Sequence, residues 1–306
     1  MTTDARSRPQ IRKHLSSIKK RFRKLGKFQK KLFDKEGFVN PYADTRILCG
    51  DSKKDIKRIL IGIDIEVGEV LLADRLARYG KPIDLILAHH PEGKALAGLD
   101  EVMGLQADIL HQLGIDYSVA KDLMDKRVKE VARRLHAANH TRSVDAARLL
   151  NFPLMCCHTP SDNHVAQYLQ NLMDQKKPKT LSAAMDILLR EPEYRDATAN
   201  KAGPTILIGK NTDKTGKIVV DMTGGTEGSK EIFGRISQAG VKTLLCMHLS
   251  EDHFNKIQKE YINVIIAGHI ASDNLGMNLL LDKLEKKGNF EFIECSGFKR
   301  FRRAKS

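Results

Sequence analysis

The chain has 306 residues, 41% hydrophobic and 29% charged, with a formal net charge of +14, a globular composition with enough length to bury a core without staples. No run of about 18 apolar residues argues for a membrane span, and the N-terminus lacks the apolar stretch of a signal peptide. Five scattered cysteines (Cys49, Cys156, Cys157, Cys246 and Cys295) without CxxC spacing point to reduced thiols in a cytoplasmic protein.

The charge sits at the two ends. Residues 1–36 carry thirteen Lys/Arg against Asp4, Asp34 and Glu36, and the closing "GFKRFRRAKS" adds five basic groups with no acid. Within the first of these, Ile11, Leu15, Ile18, Phe22, Leu25, Phe28 and Leu32 recur at helical spacing, interrupted at Gly26. A basic amphipathic N-terminal helix over 1–36 follows. Its apolar stripe packs on protein, or its basic face touches RNA or an anionic surface; a cleaved organellar presequence is a third reading.

From Arg58 the grammar changes. "RILIGID" reads as a buried strand, "EVGEVLLADRLARYG" as a helix stopping at Gly80, and "IDLILAHH" as a second strand, together a βαβ unit with parallel strands. "DEVMGLQADILHQLG" is helical, residues 121–150 give further helices, and "FPLMCCH" is another strand. "VAQYLQNLMDQ" and "LSAAMDILLR" are helices separated by "KKPK", and residues 191–204 read as a linker. Then the first pattern returns: strand "KIVVDMTGG", helix "TEGSKEIFGRISQAG", strand "VKTLLCMH". "INVIIAGH" is a strand, "SDNLGMNLLLDKLEKKG" a helix capped by Ser272, and "FEFIECSG" a last strand.

Asp64 precedes His89 by 25 residues and Asp221 precedes His248 by 27, which suggests an internal duplication. The expected fold class is α/β: two similar α/β halves with a metal cleft between them, plus the N-terminal basic helix. The first half spans 37–200 with a helical insertion near 115–150; the second spans 201–306 and ends in the basic tail.

Four strand ends release polar groups: His89 and His90; His158, Asp162 and His164; His248, Glu251, Asp252 and His253; His269 and Asp273. Ligands of parallel α/β sheets gather outside the carboxyl ends of the strands. Imidazoles mixed with carboxylates suit zinc, manganese or iron. Neighbouring side chains on extended backbone point to opposite sides, so a bend at Pro91 would aim His89 and His90 at two ions. Each group also has a plain structural reading, Asp162 and Asp273 as helix caps among them.

"LAHHPEG", "HTPSD" and "INVIIAGHIASDNLGMNLLLDKL" resemble the signature segments of the NGG-one-interacting-factor-three family, the GTP cyclohydrolase I type 2 homologs, over roughly residues 45–300. The resemblance implies two α/β halves around a dinuclear centre and a homo-oligomer, a toroidal hexamer built from dimers. It implies His89, His90, Asp162, His269 and Asp273 as ligands of two divalent ions, with His158 lining the site. This chain departs from the family pattern in three places. Asp273 replaces a glutamate one methylene longer, an insertion falls near 115–150, and "MHLSEDH" stands where a "GExSHH"-like segment is usual. His248, Glu251, Asp252 and His253 are thereby candidates for supporting the ligands or moving protons.

The function expected is that of a dinuclear metal-binding protein, a metal-dependent hydrolase of a small phosphorylated or heterocyclic, nucleotide-like substrate. Glu92, His158 and His164 are its candidate catalytic bases. The alternative is a noncatalytic metal-binding adaptor, RNA-associated through its basic termini.

Overall fold

In the computed structural model, which describes residues 3–303, the apolar runs form nine strands. They are β1 (Thr45–Cys49), β2 (Arg58–Gly62), β3 (Leu85–Ala88), β4 (Leu154–Cys157), β5 (Thr205–Ile208), β6 (Lys217–Asp221), β7 (Val241–Cys246), β8 (Asn263–Ile266) and β9 (Glu291–Glu294). The helices before β4 are α1 (Arg8–Lys24), α2 (Lys27–Leu32), α3 (Val67–Arg78), α4 (Gly93–Ala97), α5 (Leu105–Gln112), α6 (Tyr117–His136) and α7 (Arg142–Leu149). The remainder are α8 (Thr159–Lys176), α9 (Leu181–Leu188), α10 (Pro192–Ala199), α11 (Phe233–Gln238), α12 (Glu251–Ile257) and α13 (His269–Leu284).

Two sheets result, ordered β1-β4-β3-β2-β9 and β5-β8-β7-β6. In each, an antiparallel edge strand pairs with the last strand of a parallel trio: β1 with β4 and β5 with β8. The first four strands of one order map one by one onto the other, as a duplicated unit requires. The register refines the match. Gly62 lies opposite Ala88, and Asp221 opposite Cys246, so His248 corresponds to His90 and Asp221 to Gly62. The spacing-based pairing of Asp64 with Asp221 is thus off by two residues.

Both faces of both sheets are covered, which is why the parallel strands read as unbroken apolar runs. On the first sheet Leu60, Ile86, Leu154 and Cys156 meet Val70 and Ala73 of α3 and Ala147 of α7. Its opposite face, with Ile59, Ile61, Leu87 and Cys157, takes Met277 and Leu281 of α13. On the second sheet, Val220, Leu245 and Ile265 pack on Val165 and Leu169 of α8 and Leu275 of α13. Its outer face, with Val219, Leu244 and Val264, takes Ala107 and Leu110 of α5 and Met124 and Val131 of α6. Helices α8 and α13 are therefore the central layer, held between the sheets, and each begins where a parallel strand ends.

The boundary near residue 200 does not separate the two sheets. Strand β9 joins the first sheet beside β2, while α9 and α10 pack on the second. Three expectations need correcting. Residues 191–204 are not a linker but contain α10: Pro192 occupies a first-turn position, where its missing N–H costs nothing, and Tyr194 is fully buried. Ser272 does not cap the last helix. Gly268, at φ 100°, turns the chain four residues before Ser272, and Ser272 donates back to its carbonyl. The 226–240 helix is shorter than its pattern, a 3₁₀ turn at Lys230–Ile232 running into α11.

The basic ends behave differently from each other. In the described part of the tail every cation has an acid: Lys299 with Asp196, Arg300 with Asp282 and Glu285, Arg302 with Glu285, Arg303 with Glu191 and Glu193. Lys305 lies outside the described residues. Helices α1 and α2 break at Gly26 and carry Arg8, Arg12, Lys13, Lys19, Lys20, Arg21, Arg23, Lys24, Lys27 and Lys31, all exposed. None of these ten is in an ion pair among the described residues. The stripe of α1 is half-buried, with Ile18 against Gly37 and Phe22 tilted against Phe33 and edge-on to Phe38, while Phe28 and Leu32 of α2 are exposed.

Candidate metal centre

The chain past β3 keeps pairing beyond the strand. The amides of His89 and His90 donate to the carbonyls of Gly62 and Ile63 at 3.0 and 2.9 Å, so both imidazoles are fixed at the sheet's carboxyl edge. His89 is fully buried, and its Nδ1 lies 3.2 Å from the Cys157 carbonyl. A carbonyl can only accept, so Nδ1 carries the proton and Nε2 presents a lone pair. His90 Nδ1 is held by Asp64 at 2.7 Å. His158, at the end of β4, is held through Nδ1 by Asp44 at 2.9 Å.

All four Nε2 atoms then face two buried carboxylates. His89 Nε2 is 3.4 Å from Asp162 Oδ1 and 3.3 Å from Asp273 Oδ1. His90 and His269 approach Asp273 Oδ2 at 3.3 and 3.5 Å, and His158 approaches Asp162 Oδ2 at 3.6 Å. Adjacent His89 and His90 thus address different oxygens of one carboxylate. Asp162 projects from the first turn of α8 and Asp273 from just past the first turn of α13, each four residues after a histidine, in "HTPSD" and "HIASD". That repeated H-x-x-S-D is a sequence trace of the duplication. Neither aspartate caps its helix.

The test of whether a cation belongs here is hydrogen-bond satisfaction. His89 Nε2, Asp162 Oδ1 and both oxygens of Asp273 are buried without a donor, whereas native interiors rarely leave such groups unmatched. Lone pairs converging on lone pairs repel unless a positive charge sits among them. Three overlapping groups have ligand atoms within 4.8 Å of one another: His89–His90–His158, His90–His269–Asp273 and His89–Asp162–Asp273. Nitrogen and oxygen donors of this kind fit a divalent transition-metal ion.

The ionisation pattern agrees. Burial pushes Asp162 up to about 6 despite its imidazole neighbours. Burial also raises Asp273, but His89, His90 and His269 overcome it and hold that carboxyl below its usual range. Burial depresses His158, and Asp162 and Asp44 more than reverse this, to about 9. A raised histidine stabilises the metal-free fold fully below the unfolded value of about 6.5 and loses that contribution as pH rises through about 9. Asp44→Asn is therefore expected to lower the His158 pKa in the metal-free chain, read by NMR titration. The stability gap between variant and wild type is expected to be widest near pH 6 and to close toward pH 9.

A cavity of about 280 Å³ opens beside the cluster, lined by His90, His158, Asp162, His269 and Asp273 on one side. A solved structure of a NIF3 superfamily protein from Sphaerobacter thermophilus superposes on this chain with a TM-score of 0.74 and 25% identity, over 95% of this chain and 98% of that one. The chain resembles the NIF3 superfamily in fold. Reduced HcgD from Methanocaldococcus jannaschii shares the fold at a TM-score of 0.54 and 13% identity, over 87% of this chain and 94% of that one. No protein-family model and no curated protein matches the sequence.

In this NIF3-like chain the three candidate bases part company. His158 lines the cavity. Glu92 instead accepts from Ser143 at 3.2 Å, beneath α7. His164 sits two residues past Asp162, on the opposite face of α8, between the Pro160 carbonyl (2.6 Å) and Lys283 Nζ (2.7 Å). From "MHLSEDH", His248 and His253 reach the cavity, and the His248 ring lies 4.8 Å from that of His269. Asp252 pairs outward with Lys230, and Glu251 with Asn255.

Two residues that matter here escaped the sequence reading. Asp44 orients His158 from a loop 114 residues away, with nothing local to mark it. Glu227 holds His248 and His253 at 3.4 and 3.5 Å and takes the Ser250 amide at 2.6 Å. Burial would raise it, but these donors bring it down to about 2. Its signal was available: it lies in the glycine-rich "TGGTEG" just past a parallel strand.

Proposed function

We propose that this chain is a dinuclear metal protein acting as a metal-dependent hydrolase on a small phosphorylated or heterocyclic substrate. The observation that carries the reading is the set of four donorless buried atoms, on His89, Asp162 and Asp273, at the wall of a ligand-sized cavity. His89 and Asp162 would hold one ion, His90 and His269 the other, with Asp273 serving both. Two such ions would polarise a substrate oxygen and lower the pKa of water. Asp44 and Asp64 orient the imidazoles, and His158 is the candidate base at the cavity wall; Glu92 and His164 would serve only from behind it. Guanine-nucleotide chemistry is implied by the family's name alone. A reducing cytoplasm suits the five free cysteines, and no described helix is long and apolar enough to cross a membrane. Assembly as a homohexamer would cover exposed apolar groups such as Leu71, Leu72 and Leu207.

The test is a screen of nucleotides and phosphoesters with metal-loaded protein and His89→Ala as the blank. Turnover by the wild type alone is the expected result; equal turnover in both would assign it to a contaminant.

A second reading has its own observation, the ten exposed and unpaired cations of α1 and α2. That surface would bind the phosphate backbone of RNA in a noncatalytic adaptor. Changing Arg12, Lys13, Lys19, Lys20 and Arg23 to glutamine, which spares the Asp4–Arg6–Tyr42 anchor, is expected to abolish RNA retention at moderate salt. Retention unchanged by the five substitutions would clear α1 of that role.

A further inference from the structure

The cavity has a second side, formed by the end of β6, the loop after it and β7. Asp221 closes β6 there, with Leu99, Ile232, Phe233, Leu244 and Cys246 around it. It shares the strand face of Val219, and its neighbours Leu244 and Cys246 lie on the same face of β7. Asp221 is exposed at the end of its strand, and its carboxylate opens onto the cavity. Among the described residues it accepts no hydrogen bond and enters no ion pair.

The duplication makes this position informative. Its counterpart is Gly62, where an added Cβ would lie 2.8 Å from Ile65 Cδ1, so the first half has neither the room nor the charge. The second half has both. The only other carboxylate on this side is Glu227, whose oxygens are already engaged by His248, His253 and the Ser250 amide. Asp221 is thus the carboxylate of this wall that no described residue engages, accessible from the cavity and free to accept from a ligand.

We propose that Asp221 is the recognition residue of this cavity, taking a cationic or N–H-rich nitrogen group, such as an amidine or the amino edge of a nitrogen heterocycle, on a small planar ligand. An anionic group is disfavoured at this end by Asp221 and Glu227 together. An oxygen-bearing end would face the histidine–aspartate cluster, a clause that rests on the metal reading above. The size agrees: about 280 Å³ lies at the small end of ligand cavities, which run from roughly 300 to 1,000 Å³.

Benzamidine, a flat ring bearing an amidinium, is the probe, and benzoate is its anionic twin. Calorimetric titrations would use the full chain, before and after metal removal by a chelator, and Asp221→Asn, with thermal melts confirming that the variant folds. Expected are benzamidine binding to the wild type, about tenfold or greater weakening in Asp221→Asn, and unchanged binding by the chelator-treated wild type. Equal affinity in Asp221→Asn, benzoate binding as tight as benzamidine, or no benzamidine binding by the wild type would each overturn the proposal. Chelation strips the cluster and leaves Asp221 in place, so the metal reading and this one fail separately.

Discussion

Asp273→Asn is expected to remove metal binding from the whole cluster, the largest effect of any single conservative change. The carboxylate is 1% exposed, and its two oxygens face different imidazoles: Oδ1 toward His89, Oδ2 toward His90 and His269. Asparagine keeps the shape but loses the charge and one ligating oxygen. Its amide nitrogen would also donate to an imidazole Nε2, occupying the lone pair an ion needs. At zinc or manganese concentrations about a thousandfold above Kd, binding stabilises a fold by ~4 kcal/mol, a shift of several degrees in Tm for a chain of this size. That shift is expected in the wild type and absent from Asp273→Asn. The metal-free variant should melt below the metal-free wild type at neutral pH, because the carboxylate that His89, His90 and His269 hold ionised has gone. Asp162→Asn gives the contrast. Asp162 approaches only His89 and His158, so part of the metal-dependent shift should survive there. A full shift in Asp273→Asn would sink the ligand assignment.

Gly276→Ala carries the second large effect. Helices α8 and α13 run between the sheets, and at Gly276 their backbones meet: a Cβ there would lie 2.5 Å from the Ser161 carbonyl oxygen and 2.8 Å from its Oγ. In isolation the change favours a helix by about 1 kcal/mol. Overpacking against a neighbouring backbone costs typically ~1–3 kcal/mol and more where nothing can move aside, so net destabilisation is expected. Ser161 immediately precedes Asp162, and Gly276 lies three residues past Asp273. Moving the helices apart therefore separates the two carboxylates. Denaturant unfolding should show a loss of roughly 2 kcal/mol, and metal titration a weaker affinity. A variant as stable as the wild type with unchanged affinity would mean that the helices are not locked at this crossing.

Much of this architecture is legible in the sequence because both sheets are covered on both faces. Strands β2, β3, β6, β7 and β8 read as apolar runs for that reason. The antiparallel edges β1 and β5 do not: "TRILC" and "TILI" are short, with Ile47 and Leu207 exposed. Helix α10 hides behind a composition of Pro, Glu, Asp and Asn, since Tyr194 and Glu193 are its only buried residues. The clustered histidines and aspartates stand out because strand ends converge, which local pattern and a resemblance can reveal. Asp44 and Glu227 do not stand out, because their partners are fixed by the folded chain rather than by spacing. The apparent symmetry of Asp64 and Asp221 shows the same limit. Sequence intervals of 25 and 27 residues look equivalent, but only the sheet register reveals that Asp221 occupies a place its twin cannot.

The most direct test of the account is the metal content of the purified chain, measured by elemental analysis beside Asp162→Ala. Two divalent ions per wild-type chain, with at least one lost in Asp162→Ala, is the predicted result. Well under one ion per chain, unchanged by the substitution, would contradict it.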